Sequence, residues 1–435
     1  MIALDHLRQN PQIYRDAATN KSLSVNIDRV LELDSQIREL SKQEQTLRTS
    51  RNELAKLGKS NPEAARLEGK RIKDELKALE IKRSEVEPEM TALLLEIPNI
   101  PLPEVPVGHS EEENRVTKEW GVKPHFGFTP RTHWQIAEMH DLIDKERATK
   151  VAGSRFAYIK GDLVLLQMAI VQYVMQTLGN RDHIASLIKK NNLNLSSTPF
   201  TPILPPAMIK TEPYMAMDRL EPREDRYQVG TPEDNLWLQG SAEHTLGSMY
   251  WDETLPASML PVRYLGYLTS FRREAGTYGK DTEGIIRMHQ FDKLEMEVFS
   301  TPETGIDEHK LLIAIQEDLM QDLGIPYRMI QKCTFDIGKP NASGWDVEAW
   351  MPGQDKYRET HTADYMTDYQ SRRLNTRVKR TDGSIDHVHT NDATAFALGR
   401  IMIAIMENYQ RADGSVAVPE KLQSYCGLQE IKSRK

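Results

Sequence analysis

The chain has 435 residues, 39% of them apolar and 28% charged, and 56 lysines and arginines against 64 aspartates and glutamates give a net charge of -8. That balance supports a large buried core and excludes wholesale disorder, and no run approaches the length of apolar sequence needed to span a bilayer. Cys333 and Cys426 are the only cysteines, too few for a disulfide framework or a four-thiolate zinc site, and the absence of an apolar segment behind a basic start gives the expectation of a cytoplasmic protein.

In chain order, the first predicted element is a pair of long helices. Leu33, Ile37, Leu40, Leu47 and Leu54 alternate in steps of four and three if Glu44 and Arg51 fill two seam positions. Ile72, Leu76, Leu79, Val86, Met90, Leu93 and Ile97 repeat the pattern with Arg83 in the seam. Between them, Leu57-Gly58-Lys59-Ser60-Asn61-Pro62 stops one helix and restarts the next. The product is an antiparallel coiled-coil hairpin about 45 Å long at ~1.5 Å per residue. From Arg48 to Lys73 the basic residues Arg48, Arg51, Lys56, Lys59, Arg66, Lys70, Arg71 and Lys73 outnumber Glu53, Glu63 and Glu68, a local charge of +5 on an acidic chain. A bare coiled coil is most often a spacer or a dimerisation element, whereas a basic end suits contact with a phosphate backbone.

Pro98, Pro101, Pro103 and Pro106 cannot continue a helix and mark a domain join, giving an arm at 1–107 and a second domain at 108–435. The second domain mixes a helical pattern at Leu163–Leu178 with alternating strands at Pro261–Leu268 and Ile285–Phe299 and has no internal repeat, so it reads as α/β or α+β. In the segment from Phe271 to Asp281, Gly276 and Gly279 fall in a turn between two strands. A Walker A loop would need four residues between its glycines and a Ser or Thr after Lys280. On the outgoing strand Ile286, Met288, Leu294, Met296 and Val298 share the parity of a core face, and His289, Phe291, Glu295 and Glu297 share the other. Phe291 and Glu295 then lie about 13 Å apart, suited to the two ends of one extended ligand. Arg272 and Glu274 share parity on the partner strand, as do Ser241 and Glu243. His244, His289, His361, His387 and His389 invite a metal hypothesis, but His387 and His389 are two apart near a Gly-Ser turn with no cysteine beside them, and a surface loop is expected there in place of zinc.

The run FRREAGTYGKDTEGIIRMHQFDKLEM, Phe271 to Met296, resembles motif 2 of the class II aminoacyl-tRNA synthetases in its seryl-tRNA synthetase form. The segment from Thr394 to Arg400, followed by IMIAIMENYQ, resembles motif 3. Gly153-Ser-Arg-Phe, Pro205-Pro206, Tyr357-Arg-Glu359 and the helical hairpin fall in the family's order, so the resemblance spans practically the whole chain. It implies an α+β fold, the class II antiparallel β-sheet flanked by helices, with an N-terminal antiparallel α-helical coiled-coil hairpin. It also implies an aminoacyl-tRNA ligase that activates L-serine with ATP and loads tRNA(Ser), acting as a homodimer.

Position by position, the resemblance implies that Arg272 holds the α-phosphate and the amino-acid carboxylate, since a guanidinium fork matches planar oxyanions. Phe291 would stack on adenine, Met288 through its main chain and Glu274 would contact the base, and Arg400 would meet the γ-phosphate and cover the base's other face. Glu359, Thr360, His361 and Thr362 complete the implied ATP site, with Glu359 and Thr362 binding Mg²⁺. Serine is assigned to Ser241, Glu243, Arg272, Glu295 and Thr394, a site that would leave polar groups unpaired if alanine entered. The basic residues of the hairpin are assigned to tRNA, which is recognised largely through backbone and shape. Three departures from the family pattern stand out: Ser241 for the usual Thr, Thr360-His361-Thr362-Ala363-Asp364 for a Ser-rich, Cys-containing run, and Asp392 for the usual Asn. Two other functions compete. A relative that loads a carrier protein would lack the arm; a synthetase-like protein that has lost catalysis and only binds RNA or a partner would have no need of Arg272, Glu274, Phe291, Glu295, Glu359 and Arg400 together.

Overall fold

The computed structural model describes residues 2–57, 62–275 and 284–432, the side chains at 55–57, 62, 64 and 232 excepted. Gly276, Gly279 and Lys280 of the expected turn and Lys59 of the hairpin lie outside the described residues, as does the side chain of Lys56. The chain divides into two compact units, Met1–Ile100 and Pro101–Lys435. The expected join at 107/108 falls inside the second unit, because the proline-rich stretch is bonded into it. The Leu102 N–H donates to the Ala342 carbonyl (2.8 Å) and the Thr334 N–H to that of Pro106 (2.9 Å).

In the first unit, α1 (Ile27–Leu57) and α2 (Pro62–Glu96) run antiparallel. Arg29 meets Glu89 (2.8 Å), Glu44 meets Arg83 (2.9 Å) and Arg48 meets Glu80 (3.9 Å), so positions on one helix rise as those on the other fall. Leu33, Ile72, Leu76 and Met90 are buried along the seam. Of the three charged seam positions, Glu44 and Arg83 find each other, and the buried Glu44 carboxylate accepts from the Arg83 guanidinium in place of an apolar pair. Arg51 is exposed, and Leu94 instead of Leu93 is the buried residue near the end of α2. Two helices too short to show a periodic signal, Leu4–Gln9 and Pro11–Asn20, precede the arm and bury Leu7 and Tyr14. Arg48, Arg51, Arg66, Lys70, Arg71 and Lys73 are all exposed. Arg71 bonds Glu68 and Glu75, whereas Arg51, Arg66, Lys70 and Lys73 have no carboxylate within 4 Å among the described residues.

The second unit is built on an eight-stranded sheet: β1 (Arg115–Trp120), β2 (Thr201–Ile203), β3 (Val262–Phe271), β4 (Gln290–Ser300), β5 (Tyr327–Gln331), β6 (Ser343–Met351), β7 (Lys356–Thr367) and β8 (His389–Ala397). Their order is β1-β5-β6-β7-β8-β4-β3-β2, antiparallel throughout except for the β2/β3 pair. β3 and β4 form the expected hairpin, from Gln290 opposite Phe271 to Phe299 opposite Val262. β4 starts at Gln290 and not at Ile285, since the intervening backbone is held off the ladder: the Ile285 N–H donates to His133 Nε2 (3.4 Å) and the His289 N–H to the Arg155 carbonyl (3.0 Å).

The three longest helices of this unit pack into the core, α3 (Asp162–Leu178), α4 (Gly305–Asp322) and α5 (Leu398–Asn408). Leu294, Met296 and Val298 of β4, Val347 of β6, Ala363 of β7 and Ala393 and Phe396 of β8 are buried together with Leu166 of α3, Leu311 and Ile315 of α4 and Ile401 and Ile405 of α5. Each large side chain buried there contributes about 1.5–3 kcal/mol, which fixes which sheet face the helices cover. Alternation then leaves the opposite face to the polar residues. Among the described residues no helix is long and apolar enough to cross a membrane.

Candidate active site

On the polar face of the sheet, β4, β7, β8, the segment after β3 and the first turn of α5 enclose a cleft of about 260 Å³. Alternation brings Phe291, Lys293 and Glu295 of β4, Asp392 and Thr394 of β8 and Glu359, Thr362 and Asp364 of β7 into it. Glu359 and Thr362 are three apart, a spacing that plain alternation would send to opposite faces. Thr360 is a bulge between the pairs Val347/His361 and Glu348/Glu359, and this extra residue rephases β7. An equivalent extra residue in β8, Ala395, puts Thr394 and Ala397 on one face.

At one end, the Arg272 guanidinium lies 5.4 Å from the Phe291 ring centre and its Nε donates to the Gly240 carbonyl (2.9 Å). Among the described residues no carboxylate lies within 4 Å of Arg272, so its fork is open to an anion. Glu274, at a left-handed φ of 54°, turns its carboxylate to Arg287 (2.6 Å). Arg400, in the first turn of α5, bonds both the carbonyl (2.8 Å) and the carboxylate (2.9 Å) of Glu359. Burial acts to raise the Glu359 carboxyl, but Arg400, Lys332 and Arg272 outweigh it and hold the group below the usual range, with 48% of the side chain still reached by solvent. The Thr362 hydroxyl donates to Asp346 (2.7 Å) and keeps its oxygen lone pairs. Burial pushes Asp346 itself up to about 7, with Lys332 opposing. No three His, Cys, Asp or Glu side chains group as a metal site among the described residues. An ionised Glu359 and the Thr362 oxygen nevertheless fit Mg²⁺, which takes one or two protein oxygens together with substrate phosphates.

At the other end the Lys293 ammonium is buried, 2.9 Å from Ser241 Oγ, 2.5 Å from Glu295 and 3.9 Å from Glu243. Burial works against its charge, yet Glu295 and Glu243 lift its pKa above the ordinary lysine value. Glu243 opens a short helix, Glu243–Leu246. Burial acts to raise its carboxyl, and Lys293, His244 and Arg219 together drive it far below the usual range instead. Burial raises Glu295 well above that range; Lys293 opposes this, and Glu243 and Asp392 add to it. The Thr394 hydroxyl donates to Glu295 (3.5 Å). Farther in, Arg219 approaches Asp392 (3.3 Å) and Asp364 (3.9 Å), and burial carries Asp392 up to about 7 against the pull of Arg219.

The fold thus gathers Glu243, Arg272, Glu274, Met288, Phe291, Glu295, Glu359, Thr360, Thr362, Thr394 and Arg400 around one cleft. Ser241 adjoins it through Lys293. His361 departs from the expectation: its ring is fully buried on the helix-covered face, 5.1 Å from Phe396, and burial lowers its pKa to about 3, a neutral core group. The Thr360 hydroxyl also turns inward, donating to the Val347 carbonyl (3.1 Å). The Thr360 bulge accounts for both. Sequence reasoning missed Lys293, Arg287 and Arg219. Lys293 shares its parity with Phe291 and Glu295 and was there to be read; Arg219 comes from an irregular loop with no periodicity to announce it.

Residues 227–409 match the tRNA synthetase class II core domain (G, H, P, S and T), and residues 1–101 match the seryl-tRNA synthetase N-terminal domain. With its mostly antiparallel sheet and a polar cleft bearing Arg272, Phe291 and Arg400, the second unit is a class II aminoacyl-tRNA synthetase core, an enzyme fold. A serine–tRNA ligase from Dictyoglomus turgidum is 36% identical over 443 residues, covering 100% of both chains. The seryl-tRNA synthetase of Pyrococcus horikoshii, solved with ATP, superposes with a TM-score of 0.88 at 32% identity over 100% of both chains. A serine–tRNA ligase from Naegleria fowleri, solved with AMP, gives 0.83 at 28% identity over 98% of this chain and 96% of that one. The chain belongs to the seryl-tRNA synthetase family.

Proposed function

We propose that this chain joins L-serine to tRNA(Ser): it activates serine with ATP to seryl-adenylate and passes the seryl group to the 3′ end of the tRNA. The observation that carries the reading is one cleft with a guanidinium open to anions at one end and carboxyl groups gathered around a buried ammonium at the other. The ATP- and AMP-bound relatives support a nucleotide in this fold.

Arg272 binds the α-phosphate and the serine carboxylate, bringing both reactants to one charge. A carboxylate oxygen attacks the α-phosphorus, the bond to the bridging oxygen breaks and pyrophosphate leaves. Phe291 stacks on adenine, with Glu274 and the Met288 main chain at the base edge, and Arg400 meets the γ-phosphate. Mg²⁺, when bound at Glu359 and Thr362, neutralises polyphosphate charge. Glu243 takes the serine ammonium, Glu295 and Thr394 take the hydroxyl, and Ser241 fixes Lys293. In the second step the terminal ribose hydroxyl of the tRNA attacks the acyl carbon and AMP departs. The arm is the tRNA-binding domain, holding the backbone through Arg48, Arg51, Arg66, Lys70, Arg71 and Lys73, and the same role is assigned to Lys56 and Lys59 from the sequence alone. A cytoplasmic homodimer completes the reading, and light scattering tests the dimer.

Serine-dependent exchange of pyrophosphate into ATP by the purified protein tests the whole. No exchange would leave the reading in which catalysis has been lost. Deleting residues 40–90 is expected to spare exchange and abolish tRNA charging; equal loss of both contradicts the division of labour.

A further inference from the structure

Past Glu295 and Thr394 the cleft continues between Arg219, Asp364 and Asp392, which all line it. Asp364 and Asp392 are opposite each other on β7 and β8, and both are more than nine-tenths buried. Arg219 is shared between these two carboxyl groups, Lys332 between Asp364 (3.2 Å) and Asp346 (3.6 Å), and Lys293 between Glu295 and Glu243. Each cation therefore faces two acids. Glu297, fully buried and next on the polar parity of β4, has no cation within 4 Å among the described residues. Glu243 Oε2 and both Glu297 oxygens are buried without a hydrogen-bond partner among the described residues.

A serine brings one ammonium for Glu243 and one hydroxyl, which is a single donor without charge. Buried carboxyl groups without donors are costly, and Glu243, Glu295, Asp364 and Asp392 offer this end more acceptor oxygens than the ammonium and hydroxyl of serine satisfy. We propose that the amino-acid end accepts a short side chain carrying an amine, with L-2,3-diaminopropionate as a second amino acid for adenylation and Asp364 and Asp392 as the residues that determine this specificity. The inference rests on the adenylating reading of the cleft. An ammonium in place of the serine hydroxyl delivers three donors and a positive charge to Glu295, Asp392 and Asp364. The reaction is otherwise the same: the carboxylate oxygen bonds to the α-phosphorus and pyrophosphate leaves.

The test is pyrophosphate exchange by the full-length protein with L-serine, L-alanine, L-threonine and L-2,3-diaminopropionate. Diaminopropionate is expected to drive exchange with a kcat/KM within about ten-fold of that for serine, and alanine to fall lower by a factor of roughly 10⁴, the usual penalty for a missing donor. Asp392→Asn and Asp364→Asn are each expected to lower the diaminopropionate value about ten-fold more than the serine value, a difference of ~1.4 kcal/mol. Exchange with serine and none with diaminopropionate overturns the proposal and leaves the serine reading standing. Variants that lower both values equally overturn the specificity role of the two aspartates. No exchange with either amino acid overturns both readings, and the parent's own panel decides the matter if a variant does not fold.

Discussion

Replacing Lys293 by methionine removes the charge at the centre of the amino-acid end while keeping an unbranched side chain one heavy atom shorter. The ammonium bonds Ser241 at 2.9 Å and Glu295 at 2.5 Å and lies 3.9 Å from Glu243. A hydrogen bond to a charged group contributes about 1.5–3 kcal/mol. Losing one such interaction's worth of order from Glu295 and Glu243 lowers kcat/KM for serine about 10- to 150-fold. Two carboxyl groups are then buried without their shared cation. Glu295, already raised by burial, takes up a proton, so the fold loses less than the about 3–5 kcal/mol that follows when one side of a buried pair is removed.

The assay is pyrophosphate exchange with serine varied at saturating ATP, then ATP varied at saturating serine. The KM for serine rises and that for ATP stays near the parent value, because the nucleotide contacts assigned to Phe291, Glu359 and Arg400 do not run through Lys293. A Lys293→Met protein with the parent's KM for serine and a lowered melting temperature would make Lys293 a structural cation and refute the reasoning. Lys293→Arg, which keeps the charge in another shape, separates the two contributions.

Burial raises Asp392 to about 7, above an unfolded value of ~3.9, so its contribution to stability is complete below that lower value and is lost as pH rises through about 7. Asp392→Asn does not titrate there, and its melting temperature should gain on the parent's as pH is raised from about 5 to 8; a constant difference contradicts this. Arg263 and Glu308, both side chains fully buried, share two bonds of 2.9 and 2.8 Å. Glu308→Gln leaves the guanidinium without a counter-charge and is expected to cost about 3–5 kcal/mol in denaturant unfolding, so a loss below about 1 kcal/mol counts against the pair as a structural element. Changing Arg66, Lys70 and Lys73 together to Glu should abolish tRNA charging and leave serine-dependent exchange unaltered. Parent tRNA binding should weaken by about 0.7–0.9 log units per log unit of salt for each phosphate contact, and salt-insensitive binding would exclude the arm from the interface.

What could be read from the sequence follows the period of each element. The seam residues Leu33, Ile72, Leu76 and Met90 follow the heptad, and the same frame placed Glu44 and Arg83, which meet. Phe291 and Glu295 share a face because nothing interrupts β4 between them. β7 was illegible at the point that mattered. A strand of constant period would have set Glu359 and Thr362 on opposite faces, and only the cross-strand register reveals the bulge at Thr360 that joins them and turns His361 into the core. Arg219 reaches Asp392 across 173 positions of sequence from an irregular loop, a contact that no local pattern encodes. The family resemblance supplied the pairing of Glu359 with Thr362 where periodicity could not; it assigned no role to Lys293, although that residue lies within the motif 2 run, and none to Arg219, which lies outside the motifs compared.

The distribution of charge fixes which way a ligand must lie. Glu274 has Arg287, Glu359 has Arg400, and Glu243 and Glu295 share Lys293. Arg272 differs from these cations: among the described residues it has a carbonyl and an aromatic face beside it and no acid within 4 Å. An anion therefore gains most at Arg272, where no protein carboxylate has to be displaced, and a cation gains most where two or more acids share one base. An amino acid that spans the two ends must set its carboxylate toward Arg272 and its ammonium toward Glu243. That orientation delivers the carboxylate to the guanidinium assigned to the α-phosphate, so the charges that bind the zwitterion also align it for attack. Reversal of polarity at either end, as in Arg272→Glu, should therefore remove exchange altogether and not merely weaken serine binding, since the wrong group would then face the phosphorus.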